Sequence, residues 1–346
     1  MNYKKSFCLV VMILSFLLTS LVPIAAKPSY FQIKDGVLVK YTGPGGNVII
    51  PDGVKSLGRH AFNHKIKKIT IPNSVTTIEE FAFYGCGSLE SIFIPENVSS
   101  IGDAAFIACS LLTNVTVSKL NKNYTSINGI LLNKNLTSII RYPPMKNGEK
   151  YNIPETAVEI KKYAFDDCIN LTSIFIPDSV NNIGAGAFSC CYYITSIRLP
   201  NKITKISDSM FVGCINLEKI TIPNSVTSIE TSAFESCEKL QKIKIPEGVT
   251  SIPDGAFAYC ENLSEINISK GVKTIGYSAF FQCLKLKNIT IPGANTILCE
   301  EAIGYQTTKS GHILIPDITI CGYKNSTAHD YALINKIKFK ELSEIG

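Results

Sequence analysis

A phrase of 23 residues recurs along most of this chain, and eight cysteines mark its beat: Cys86, Cys109, Cys168, Cys191, Cys214, Cys237, Cys260 and Cys283. Neighbours are 23 residues apart, except across Cys109–Cys168, where the gap is 59. Counted from the proline that opens each copy (offset 0), Val or a relative stands at +3 and Ile at +6. Ala-Phe follows at +10 and +11, then Cys at +14, as in Pro223, Val226, Ile229, Ala233, Phe234 and Cys237. A fixed period of this length signals a solenoid, in which each unit buries its apolar face only against its neighbours. Such a chain is a scaffold with one long surface. The functional question is therefore what binds to it, and no catalytic residue is assigned.

One copy shows how the pattern works. From Pro72 to Ile94 the apolar positions are Val75, Ile78, Ala82, Phe83, Cys86, Leu89, Ile92 and Ile94. Ile92 and Ile94 alternate with Ser91 and Phe93, the period of a strand with one face buried. Pro95 then ends the strand, because proline has no N–H to give a ladder. Val75 to Ile78 predicts a second short extended segment, and Glu79 to Gly85 a helical or 3₁₀ turn. Stacked copies would align the strands in a parallel sheet and the rings of Phe62, Phe83, Phe106, Phe165, Phe188, Phe211, Phe234, Phe257 and Phe280 in a column. The cysteines have two readings. Thiols on successive turns can bind metal or form disulfides, but structural metal sites favour close Cys-x-x-Cys pairs. A small buried hydrophobe with a weak donor suits a tight turn against carbonyls better. The eight are taken as a structural ladder, with no metal and no cofactor expected. Whether Cys299 and Cys321 pair is left open.

Lys4-Lys5, the apolar run from Phe7 to Val22 and the small-residue exit Pro23 to Ala26 predict a signal peptide over 1–26. No later run is long and apolar enough to span a bilayer. A net charge of +6 with mixed signs does not suggest nucleic acid as a partner. The four histidines sit in no hydrolase or metalloprotease motif, and no phosphate loop occurs, so an enzyme is not expected.

The phrase Leu-x-x-Ile-x-Ile-Pro-x-x-Val-x-x-Ile-x-x-x-Ala-Phe-x-x-Cys resembles the BspA-like leucine-rich repeats, also called the Treponema pallidum type. The resemblance implies an α/β repeat solenoid: a leucine-rich-repeat horseshoe with a parallel sheet face, short helical or 3₁₀ turns and hairpin caps. On that basis the chain divides into a signal peptide (1–26), an N-terminal hairpin cap (27–47), repeats (48–117), an irregular repeat with an inserted hairpin (118–153), further repeats (154–298) and a C-terminal cap (299–346). The family is known for exported or surface-exposed proteins, some of which bind matrix proteins or other cells. That implies a secreted or cell-surface adhesion scaffold, retained non-covalently if at a surface. Its partner would be an extracellular protein or glycoprotein, such as host matrix. The alternative is a passive structural component without a specific ligand.

Two features interrupt the small polar residues that line the outward strand positions. Arg198, Lys219, Lys242 and Lys244 form a basic patch on successive strands, where like charges repel unless an acidic ligand or nearby Glu218 and Glu265 offset them. Phe93 and Phe175 point away from the core. They are either contact anchors or the floor beneath the inserted hairpin.

Overall fold

The computed structural model describes residues 30–343, so the expected signal peptide lies outside the described residues. Every copy makes one circuit of a β-solenoid and meets the next through three ladders of hydrogen bonds. The first is the strand that precedes each proline. Gly46–Ile49, Ile66–Thr70, Ser91–Ile94 and Asn114–Val117 form one parallel sheet, and Lys68 faces Ser91, which faces Asn114. Further along, Ser196–Arg198 pairs with Lys219–Thr221, and Lys242–Lys244 with Glu265–Asn267, again one copy apart. In each three-residue strand the central isoleucine is buried and its neighbours are exposed. The second ladder joins two-residue strands at +5 and +6, as where Thr77–Ile78 pairs with Ser100–Ile101.

The third side corrects the expectation of helical turns. Glu79 to Leu89 is a succession of separate turns, with Ala82 N–H donating to Glu79 O (3.1 Å), Cys86 N–H to Phe83 O (3.0 Å) and Leu89 N–H to Cys86 O (2.9 Å). No helix propagates because the residues at +9 and +13 are left-handed: Phe81 (φ 57) and Gly85 (φ 71) here, Ser232 (φ 52) and Ser236 (φ 59) further on. Those kinks turn alternate N–H groups toward the next circuit. Phe83 N–H donates to Ala105 O (2.9 Å), Phe234 N–H to Ala256 O (2.9 Å) and Ser236 N–H to Ala258 O (2.8 Å). The turn side is thus a backbone ladder too, and inter-coil bonds offset the cost of about 1–2 kcal/mol for each left-handed residue that is not glycine. Ser236→Gly should remove that strain and keep the bond, raising stability by up to about 1 kcal/mol after glycine's entropic cost. An increased urea midpoint would register it, and a lowered one would contradict the left-handed assignment.

Inside the coils the phenylalanines stack nearly parallel. Centroid separations run from 4.8 Å for Phe62–Phe83 and 5.5 Å for Phe83–Phe106 to 5.3 Å for Phe234–Phe257 and 5.5 Å for Phe257–Phe280. The 59-residue gap contains a further member, Tyr142, stacked 5.4 Å from Phe165. Ile303 continues the column beyond Phe280 through a parallel bridge.

Around the gap the array stops and restarts. Asn121 fills the +3 position and satisfies its neighbours, donating to Pro95 O (2.7 Å) and Val98 O (2.9 Å) and accepting from the Asn123 and Tyr124 N–H groups. The chain then forms the hairpin Tyr124–Ile127/Ile130–Asn133 about Asn128 (φ 50) and Gly129 (φ 81). Asp35 (φ 52) and Gly36 (φ 77) turn the first hairpin, Phe31–Lys34/Val37–Tyr41, in the same way. Two successive positive φ values are the type I′ geometry that matches strand twist. Each hairpin leads to a tyrosine bonded to the next coil: Tyr41 N–H donates to Ala61 O (2.7 Å) and Tyr142 N–H to Ala164 O (2.8 Å). The core accordingly forms two clusters, one from Phe31 to Leu131 and one from Ile130 to Ile337.

At the far end, helix Thr327–Ile334 is capped by the Ser326 hydroxyl, which accepts from His329 N–H. Its Tyr331 hydroxyl accepts from Ile303 N–H (3.2 Å), and the strand Lys338–Glu341 pairs with Thr319–Gly322. Cys299 and Cys321 are both free thiols. Among the described residues no helix is long and apolar enough to cross a membrane.

Candidate functional site: the outward strand face

The four cations picked out from the sequence lie together on neighbouring strands, and the structure divides them into two kinds. Arg198 Nη2 donates to both carboxylate oxygens of Asp178, at 2.8 and 3.1 Å. Hydrogen bonding from that guanidinium, helped by Asn201 N–H, holds the Asp178 carboxyl below the usual carboxylate range. Lys242 pairs with Glu265 at 2.6 Å on the next strand. Both pairs are exposed, so each contributes little to stability and is screened by salt. Among the described residues neither Lys219 nor Lys244 has a carboxylate within ion-pair distance. These two lysines, on adjacent exposed strands, carry the uncompensated charge of the patch.

Sequence reasoning named Glu218 and Glu265 as counter-charges; Glu265 pairs with Lys242, and Glu218 forms no ion pair among the described residues. It missed Asp178, the residue after the proline of the same copy as Arg198. An acid at +1 beneath a base at +21 was the available signal.

Phe93 and Phe175 stay 50% and 46% exposed, so the inserted hairpin does not cover them. Its tip instead joins the sheet between their strands. Val115 N–H donates to Gly129 O (2.9 Å), and a side chain at Gly129 would fall 2.2 Å from Asn114 Oδ1. The face therefore presents an aromatic at either side of the tip, with the basic patch beyond Phe175.

The cysteine ladder is buried inside the coils, on their turn side. Within the ladder a Phe carbonyl accepts the Cys N–H of its own turn and the thiol of the next, as where Phe211 O accepts from Cys214 N–H (3.1 Å) and Cys237 Sγ (3.3 Å). Cys191, Cys214, Cys260 and Cys283 donate in the same way at 3.1–3.2 Å. Burial pushes the thiols of Cys109 and Cys214 up to about 12, and those of Cys86, Cys191, Cys237, Cys260 and Cys283 far above their ordinary value. A neutral, inaccessible thiol is a poor nucleophile and a poor metal ligand. Among the described residues no three His, Cys, Asp or Glu side chains are grouped to hold a metal ion.

Comparison with known proteins gives a consistent picture. A family model described as a BspA type leucine rich repeat region matches residues 40–143, 142–217 and 187–309, in six copies. A leucine rich cell surface protein from Faecalibacterium prausnitzii is similar in structure, with a TM-score of 0.61 and 38% identity over 64% of this chain. The match spans 59% of that protein's chain, less than two thirds of it. A leucine-rich repeat protein from Eubacterium ventriosum aligns with 22% identity and a TM-score of 0.57, covering 81% of this chain and 96% of that one. The pneumococcal vaccine antigen PcpA aligns with 21% identity and a TM-score of 0.58, covering 86% and 68%. At those identities the last two share the fold alone. No curated protein matches this chain.

Proposed function

Because this chain belongs to the BspA type leucine rich repeat family, we propose that it is a non-enzymatic surface scaffold that binds an extracellular protein or glycoprotein through its outward strands. The observation that carries the proposal is the uncovered strand face itself. Lys219 and Lys244 lack counter-charges there, and Phe93 and Phe175 stay half exposed. Unpaired cations give such a face long-range attraction for an acidic partner, and exposed aromatics give it contact area at low entropic cost. The horseshoe curvature expected of these arrays would lengthen that contact. A surface location is supported by the signal-like N-terminus and by the printed description of the Faecalibacterium protein as a cell surface protein. Adhesion to matrix glycoproteins is the activity that this location and this face suit best.

The test is surface plasmon resonance with the chain immobilised and a panel of purified extracellular-matrix glycoproteins flowed over it at two salt concentrations. A second surface carries R198E, K219E, K242E and K244E together. Saturable binding that weakens with salt and is lost on the second surface is the expected result. If no glycoprotein binds the native chain saturably, the proposal fails.

A further inference from the structure

Where the array restarts, a cleft of about 270 Å³ opens between the turn at Ala104–Ile107, the strand Ser138–Arg141 and the turn at Lys161–Tyr163. It lies away from the strand face and takes no part in the function proposed above. Arg141 lines it and is itself 2% exposed. This arginine occupies the place that Lys40 holds beside the first hairpin. Lys40 Nζ donates to His60 O (3.3 Å), and Arg141 Nη1 donates to Tyr163 O (2.6 Å). Lys40 is exposed, whereas the preceding coils enclose Arg141. Its Nε and Nη2 are left without any hydrogen-bond partner.

Those two nitrogens form one edge of the guanidinium, with parallel N–H bonds spaced to grip the two oxygens of a carboxylate. The nearby Asp166 carboxylate attracts Arg141 through charge but makes no hydrogen bond to it, accepting instead from the Ser189 hydroxyl and from Ala108 N–H (3.4 Å). A buried cation with two idle donors is costly unless something pairs with it. Of the two lysines that line the same cleft, Lys162 pairs with Asp103 at 3.3 Å and Lys161 with Glu159 at 2.8 Å, so the free edge of Arg141 is the cleft's unpartnered donor. Phe106 and Ile140 supply apolar wall. The volume falls just below the usual range of about 300–1,000 Å³ for ligand pockets, so the occupant is small.

We propose that this cleft binds a small organic carboxylate, its two oxygens held by Arg141 Nε and Nη2 and its apolar body against Phe106 and Ile140.

Isothermal titration calorimetry on the full chain tests this with three probes: phenylacetate, its neutral counterpart phenylacetamide, and inorganic phosphate. One saturable site for phenylacetate is expected, with phenylacetamide weaker by at least about tenfold, the scale of hydrogen bonds to a charged group. Arg141→Gln, shown to be folded by circular dichroism, should lose the phenylacetate site. Because the amide comparison uses the native chain, it stands even if that variant fails to fold. The proposal is overturned if phenylacetamide binds as well as phenylacetate, if phosphate alone binds, or if folded Arg141→Gln retains the site. Absence of any saturable site overturns it as well, leaving a cleft that holds only water.

Discussion

Raising the pH to about 10 is expected to destabilise this protein by several kcal/mol, an effect set by the buried cysteines. Cys86, Cys109, Cys191, Cys214, Cys237, Cys260 and Cys283 keep their protons in the folded state well beyond the ordinary thiol value of 9.0. Once unfolded, each releases its proton near that ordinary value. Above it the unfolded chain binds fewer protons than the native one, so stability falls as pH rises. The contribution is intact below pH 9.0 and is lost progressively toward about 12, where Cys109 and Cys214 ionise in place. Each thiol costs about 1 kcal/mol per pH unit in that window, and the seven act together. Buried Tyr142 and Tyr331 and the partly buried Tyr151, each pushed up to about 12 by desolvation, add to the same trend. Urea unfolding at a series of alkaline pH values measures the slope. Replacing Cys237 and Cys260 with Ala should make it shallower while lowering stability at neutral pH. A midpoint that stays constant from neutral pH to about 10 would contradict the buried, neutral ladder.

Phe234→Ala should cost roughly 3–5 kcal/mol and lower the melting temperature sharply. Its ring is fully buried and stacks on Phe211 at 5.4 Å and on Phe257 at 5.3 Å, so truncation leaves a void bounded by two aromatic faces. Neither neighbour can collapse into that void without leaving its own partner in the column. Because a solenoid's stability is close to a sum of neighbour interfaces, the loss should also split unfolding into two steps on either side of the site. Differential scanning calorimetry reads both effects. An unchanged transition would place the ring outside the core.

What the sequence disclosed and what it hid follow from the same physics. The strand alternation and the ring column were legible because burial repeats the same demand every 23 residues. Tyr142 was not recognised as a member of the column, although it stands 23 residues before Phe165, because the hairpin displaces it from the copy on its N-terminal side. Ile303, 23 residues after Phe280, escaped for want of a ring. The expected helical turns failed for a subtler reason. Left-handed residues at +9 and +13 leave little trace in composition: Gly, Ser and Asp occupy many of these positions, but Phe81 and Tyr259 hold two of them. The bonds to the next coil, rather than local preference, hold those residues there. On the candidate face, periodicity placed the four cations correctly on one surface. Sequence reasoning also named Glu265, which pairs with Lys242, but chose Glu218 where Asp178 neutralises Arg198, since an ion pair depends on side-chain reach. Arg141 gave no signal at all, because its burial is created by the coils stacked in front of it.

The central claim is that the strand face, and not net charge, carries the interaction. The direct test compares two doubly reversed variants against the same matrix glycoprotein by surface plasmon resonance. K219E/K244E changes the strand face, and K239E/K285E makes the same change in charge at exposed positions outside the strands. Loss of binding in the first with binding retained in the second is the result predicted here. Equal loss in both, or none in either, would contradict it.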